Sequence, residues 1–234
     1  MKPLLVLAAF PMVLMGWASC SHSGTGHAAL PDPRAVDKSV PEYKNPFHPS
    51  TYAHFVARKD YRKTYDVYKD DTLLNRQPKK SRKIFVCLDE QRGQYLVDGL
   101  VAMDFPLSSG VKAYPTKTGD YAVISKKEDH TSNLYGKMYD AEGKCINYNA
   151  ESTDPVPEGG RFDGSPMPYW QRLTNAGLGL HVGKVRRHPA SHGCVRLPRN
   201  VAEILYRQTS IGTPVTIRKT PLPVPEAQKV PAVQ

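Results

Sequence analysis

Two side chains thirteen positions apart, His181 and Cys194, carry the most chemical information in this chain. They sit in Gly177-Leu178-Gly179-Leu180-His181-Val182-Gly183 and Ser191-His192-Gly193-Cys194-Val195-Arg196-Leu197. A thiol is a strong nucleophile only as thiolate, so it needs a base or a positive charge beside it. Imidazole is the side chain that supplies a base near neutral pH. Together they suit acyl transfer through a thioester, with the backbone N–H groups of Gly193 and Cys194 expected to form an oxyanion hole. Arg196 is expected to orient the loop or to pair with a substrate carboxylate. The polar approach through Ser191 and His192 argues against an inert core thiol. A zinc site built from His181, His188, His192 and Cys194 is the competing reading. Its ligand types are suitable, but the spacing matches none of the common zinc patterns.

These groups meet only if the chain between them reverses. A strand over 178–183 would turn Leu178, Leu180 and Val182 to the core and Gly179, His181 and Gly183 to the other face. Two glycines beside the imidazole predict an open cleft that a substrate chain can approach. The nine residues from Val182 to Ala190, punctuated by Gly183 and Pro189, suffice for the reversal. Pro198 can open a helix in which Val201, Ile204, Leu205 and Gln208 recur at helical spacing. Upstream, runs at 84–88, 94–97 and 100–105 with turn residues between them predict a β-meander, followed by strands at 121–125 and 213–218. The predicted class is mostly β, with one helix after the cysteine loop. The stretch 154–168, with four prolines and three glycines, reads as a long functional loop and a candidate lid. Tyr169 is a further candidate for the cleft wall. Residues 51–82 form a Tyr- and Lys-rich extension of undefined role.

Ser191-His192-Gly193-Cys194-Val195-Arg196-Leu197 resembles the signature of the YkuD-type L,D-transpeptidases, cysteine enzymes that remodel bacterial peptidoglycan. The resemblance covers about residues 83–218. It includes Gln91, the Asp98-Gly99 turn, Phe105-Pro106-Leu107-Ser108-Ser109-Gly110, Pro115-Thr116-Lys117-Thr118-Gly119 and Met167-Pro168-Tyr169-Trp170. One departure is local: Val182 follows the histidine where the family commonly has Gly, and the interval to Ser191 is shorter. The resemblance implies a mixed β-sandwich or barrel in which Cys194 is the nucleophile and His181 the general base and later acid. Ser191, His192, Gly193 and Arg196 would shape the catalytic loop. It further implies peptidoglycan tetrapeptide stems as donors, release of D-Ala, and a stem or envelope-protein amine as acceptor. No cofactor and no metal are implied. A carboxypeptidase or amidase hydrolysing the same thioester is the nearest rival, and a non-catalytic wall-binding lipoprotein the next.

Hydrophobic residues make up 40% of the 234 residues and charged residues 23%, which excludes a disordered chain and a polytopic membrane protein. Lys2 followed by a short apolar run to Trp17 is the pattern of a secretory signal over 1–19. Gly16-Trp17-Ala18 offers one cleavage site. Trp17-Ala18-Ser19-Cys20 resembles a lipobox, which would make Cys20 a lipid-bearing terminus and anchor the protein to a membrane. Residues 20–50 read as a Pro-rich spacer and 219–234 as a disordered Pro-rich tail. The expected location is the cell envelope. With 32 Lys and Arg against 22 Asp and Glu, anionic envelope polymers are the expected attraction. No nucleic-acid motif accompanies the basic run at 79–83, and a monomer is expected. A Cys87–Cys145 disulfide is permitted by export but not required.

Overall fold

The computed structural model describes residues 30–77 and 81–232. Within them Thr51 caps a short helix α1 (Tyr52–Ala57) by accepting from the His54 amide, and Asp70 caps α2 (Asp71–Leu74) in the same way. The two-residue strand β1 (Tyr68–Lys69) lies between them. The meander then forms as the turn residues direct. Strand β2 (Arg82–Cys87) returns as β3 (Arg92–Val97) and β4 (Leu100–Pro106). Asp98 and Gly99 both have positive φ, 50° and 79°. This is the backbone that a tight two-residue hairpin with right-handed twist requires.

After β5 (Gly119–Ala122) and β6 (Ser125–Lys127) come three longer strands, β7 (Thr131–Tyr139), β8 (Cys145–Glu151) and β9 (Arg161–Pro166). Then follow β10 (Trp170–Arg172), β11 (Gly179–Val182), β12 (Val195–Leu197), helix α3 (Arg199–Gln208) and β13 (Pro214–Arg218). They assemble into a six-stranded sheet ordered β1-β4-β3-β2-β13-β5, a four-stranded sheet β12-β11-β10-β6 and a three-stranded sheet β8-β7-β9. The architecture is mostly β and mixed: β2 pairs parallel with β13, and β11 parallel with β12.

One core joins the first two sheets and α3. Ile84, Tyr95, Phe105, Leu180, Leu197 and Leu205 lie in it without exposure. A bulge in β4 opposes Leu96 to Val101 and Tyr95 to Met103, so Ala102 is the extra residue. The shift turns Met103 and Phe105 into this core, and Val101 and Asp104 to the opposite face. That face is covered by a second cluster comprising Phe47, Tyr52, Phe55, Val56 and Tyr61. Burial of those side chains, at roughly 1.5–3 kcal/mol each, fastens the N-terminal segment to the sheet.

Three expectations are corrected. Residues 30–50 are not a free spacer: Phe47 is fully buried, and the Lys38 ammonium donates to the Val56 carbonyl at 2.8 Å. Residues 219–232 are not disordered. Gln228 exchanges two hydrogen bonds with the Val101 backbone, at 2.8 and 2.9 Å, because its amide replaces the neighbouring strand that β4 lacks there. The stretch 154–168 contains β9 instead of being loop throughout; its glycine at 164 lets the Ser132 carbonyl approach to where a Cβ would stand, 2.0 Å away. The extension 51–82 holds α1, β1 and α2. Cys20 and the signal segment lie outside the described residues. Among the described residues, no helix is long and apolar enough to cross a membrane.

Candidate active site

Strands β11 and β12 run side by side with Leu180 opposite Val195, His181 opposite Arg196 and Val182 opposite Leu197. Leu180, Val195 and Leu197 are fully buried in the core. Alternation therefore turns His181 and Arg196 to the other face, with Cys194 two residues before Arg196. His181, Cys194 and Arg196 line one cavity of about 680 Å³, a size usual for ligand sites. The three-stranded sheet forms its far wall through residues such as Ser132, Tyr135, Tyr148 and Asn149.

His181 is 6% exposed. Its Nδ1 lies 2.7 Å from the Val182 carbonyl oxygen. A carbonyl only accepts, so Nδ1 carries the proton and Nε2 keeps the lone pair in the neutral ring. Burial lowers its pKa to about 4, opposed by the Val182 carbonyl and assisted by the Arg196 and His130 charges. The Cys194 thiol donates to the Gly177 carbonyl at 3.2 Å. Burial pushes its pKa up, with the Gly179 amide and the Arg196 charge acting the other way. The resting site is thus a neutral thiol and a neutral imidazole.

Of the two glycines beside His181, Gly183 lines the cavity and Gly179 does not. A Cβ on Gly179 would stand 2.4 Å from the Trp170 ring, and one on Gly183 would stand 2.8 Å from the Arg196 side chain. They make room for those two side chains, which is why His181 is buried. Trp170 packs against His181 with ring centroids 5.9 Å apart and stacks on His130 at 5.0 Å. Tyr169 does not reach the cavity. Its backbone is left-handed at φ 56°, and its ring turns to Tyr206 of α3, 5.6 Å away. The aromatic neighbour Trp170 lines the site in its stead.

The cysteine loop is held from within and from outside. Gly193 has φ 109°, and its N–H donates to the Ser191 hydroxyl at 3.2 Å. That amide was expected to face a reacting carbonyl; here the internal turn occupies it. The Ser191 hydroxyl donates to the Cys194 carbonyl. Thr116 donates to the Gly193 carbonyl at 2.6 Å and accepts from the Gly110 amide at 2.8 Å. A Cβ at Gly110 would lie 2.8 Å from Gly193 Cα, so the two loops approach as closely as glycine permits. Buried Gln91 bonds both to the Ser109 hydroxyl at 2.8 Å and to the Ser109 amide at 2.9 Å. Ser109 in turn accepts from Ala190 and Ser191. His192 is exposed and stacks on Tyr135 at 4.5 Å, linking the loop to the three-stranded sheet.

Sequence reading missed Trp170, Tyr135 and His130. A tryptophan two residues from a strand pair carried a signal; the Tyr135 stack depended on a sheet that was not read. The zinc alternative finds no support in the geometry. His188 is exposed with its Nδ1 at the Pro189 carbonyl, and among the described residues no three His, Cys, Asp or Glu side chains gather as metal ligands. Cys87, Cys145 and Cys194 are all free thiols. Cys87 lies in β2 of the large sheet and Cys145 begins β8 of the small one, so no bridge joins them.

Comparison with known proteins bears on the same segment. The YkuD family, described as the L,D-transpeptidase catalytic domain, matches residues 81–217. The probable L,D-transpeptidase 3 of Mycobacterium tuberculosis is 31% identical over 121 residues, covering 49% of this chain and 38% of that protein. Among solved structures, L,D-transpeptidase from Mycobacterium smegmatis is similar at 21% identity, 58% of each chain and a TM-score of 0.45. A mutant of the Enterococcus faecium L,D-transpeptidase is similar at 27% identity, 58% of this chain and 49% of that one, with a TM-score of 0.42. The chain therefore spans less than two thirds of the length of each of these relatives. With more than half of its residues matched by the family, the chain belongs to the YkuD family of L,D-transpeptidase catalytic domains.

Proposed function

We propose that this chain is a cysteine-dependent L,D-transpeptidase acting on peptidoglycan tetrapeptide stems. The observation that carries the reading is the pairing of β11 with β12, which sets His181 and Cys194 on one wall of one cavity. The Nδ1 bond to Val182 leaves Nε2 as the basic nitrogen. In the first half-reaction Nε2 takes the thiol proton as Cys194 Sγ bonds to the carbonyl carbon of the L-centre of the diamino acid, meso-diaminopimelate. The tetrahedral intermediate collapses, its C–N bond breaks, and D-Ala leaves with the proton returned by His181. In the second half-reaction an acceptor amine attacks the thioester, gives its proton to His181, and the thiol is reformed. A stem amine yields a cross-link, a protein lysine yields an anchor, and water yields a trimmed tripeptide.

The three-stranded sheet over the cavity is the candidate lid, since limiting water at the thioester favours transfer over hydrolysis. Arg196, beside both reacting groups, is suited to a stem carboxylate. The test is incubation of pure protein with tetrapeptide muropeptides, followed by mass analysis of the products. Cross-linked dimers together with free D-Ala are expected; tripeptides without dimers would assign the hydrolytic reaction instead, and unchanged stems would reduce the protein to a wall binder. Export and lipidation rest on the first twenty residues. Labelled palmitate should enter the wild type in a bacterial host and be lost in Cys20→Ala.

A further inference from the structure

The loop between His181 and Cys194 is tied to a part of the chain outside the family match. At its tip Arg187 has φ 58°, a left-handed backbone that a long unbranched side chain rarely adopts. Its guanidinium explains the conformation. It donates to the carbonyls of Arg62 and Thr64 and reaches the Glu90 carbonyl at 3.4 Å. The Thr64 carbonyl has two lone pairs, and buried Arg92 uses the second from below at 3.2 Å. Arg92 also donates to the Asp66 carbonyl at 3.0 Å and pairs with fully buried Asp104. Arg58 closes the same turn by bonding Asp60 at 2.7 Å and Asp66 at 2.8 Å. The turn 58–66 is therefore a fixed platform between two arginines, one rooted in the sheet and one borne by the loop.

Immediately around Arg187, the Arg186 amide donates to the Ser108 hydroxyl at 2.8 Å, and the Ala190 and Ser191 amides donate to the Ser109 carbonyl at 2.8 and 3.1 Å. Those three bonds set where Ser191 enters the cysteine turn. Arg187 itself does not line the cavity, whereas Lys184 and Arg196 do.

We propose that Arg187 is a positioning residue, and that residues 58–66 are a built-in brace holding the loop that carries Cys194 in the cavity that His181 also lines. The proposal rests on the transpeptidase reading for its catalytic consequence, but not for its structural one. Two variants separate the possibilities. Arg187→Asn keeps a residue that tolerates the left-handed backbone while removing the guanidinium; Arg187→Lys keeps a cation of similar reach.

Two readouts are taken at a temperature where circular dichroism shows each protein fully folded. The first is hydrogen exchange by mass spectrometry and NMR. In Arg187→Asn the amides of Arg186, Ala190 and Ser191 should exchange at least about tenfold faster, with α3 unchanged, and Arg187→Lys should restore part of the protection. The second is the rate constant of Cys194 acylation at saturating carbapenem, expected to fall roughly ten- to a hundredfold in Arg187→Asn with the half-saturating concentration unchanged. Loop exchange equal to wild type overturns the brace whether or not the protein is acylated. An acylated wild type matched in rate by Arg187→Asn overturns the positioning role alone. A wild type that carbapenem never acylates counts against the transpeptidase reading, while exchange still decides the brace.

Discussion

Two buried polar clusters lie on opposite sides of this domain, and they solve burial in opposite ways. Under the N-terminal segment, Asp104 and Arg92 are fully buried as an ion pair. The carboxylate also accepts from Tyr52 at 2.7 Å, Tyr61 at 2.9 Å and Gln94 at 3.0 Å. Both carboxylate oxygens of Asp104 and all three guanidinium nitrogens of Arg92 have partners, the condition on which a buried pair can be kept. At the cavity, His181 and Cys194 have backbone groups and no side chain as hydrogen-bond partners, the Val182 and Gly177 carbonyls among them, and burial favours the neutral form of each. The first cluster spends its chemistry on holding chains together. The second keeps a lone pair and a thiol unspent, which is what a nucleophilic site needs.

That contrast predicts which cluster controls rate and which controls stability. His181→Gln keeps a donor for Val182 but removes the base, and should slow acylation of Cys194 by about 10²–10⁴-fold while moving the unfolding free energy by less than about 1 kcal/mol. Stopped-flow quenching and urea denaturation measure the two. Asp104→Ala strands a buried guanidinium and should lower unfolding free energy by about 3–5 kcal/mol, read from the urea midpoint at unchanged slope. An equal stability loss in both variants would erase the distinction.

A smaller effect follows from pH. The His181 pKa is depressed to about 4 in the fold, against about 6.5 when exposed. The unfolded chain therefore binds this proton first as pH falls through 6.5, and the folded form resists until about 4. Stability should decline across that window by up to about 3 kcal/mol, and His181→Gln should remove that part of the slope. Because the base stays neutral, the acylation rate should hold from pH 7 to 5; a rate falling with a midpoint near 6.5 would show a solvated imidazole. The smallest effect belongs to the exposed Glu203–Arg207 pair on α3, 2.7 Å apart. Its loss in Glu203→Ala should cost at most about 0.5 kcal/mol, within the error of a denaturation curve.

The cavity cluster was largely legible in the chain and the charged one was not. Strand alternation at Leu178–Gly183 and the Pro198 helix start are local signals, and they put His181, Cys194 and α3 in the relation expected. The direction of Gly179 and Gly183 was read correctly, but what filled the space above them, Trp170 and Arg196, depends on tertiary packing that no spacing encodes. Asp104 looked like an ordinary strand residue, and Arg92 like part of the turn between the first two strands. Their burial follows from a bulge at Ala102 and from a Pro-rich segment whose composition suggested a tether. The tail misled for the same reason: four prolines in 220–234 limit regular structure but do not prevent Val224 and Gln228 from packing.

The central claim is that the thiol of Cys194, served by a neutral His181, accepts an acyl group. Intact mass and peptide mapping after exposure to a carbapenem test it most directly. The protein should gain the mass of one ring-opened carbapenem on the peptide bearing Cys194, and Cys194→Ala should gain none. An unmodified protein, or an adduct carried by Cys87 or Cys145 with Cys194 untouched, would contradict it.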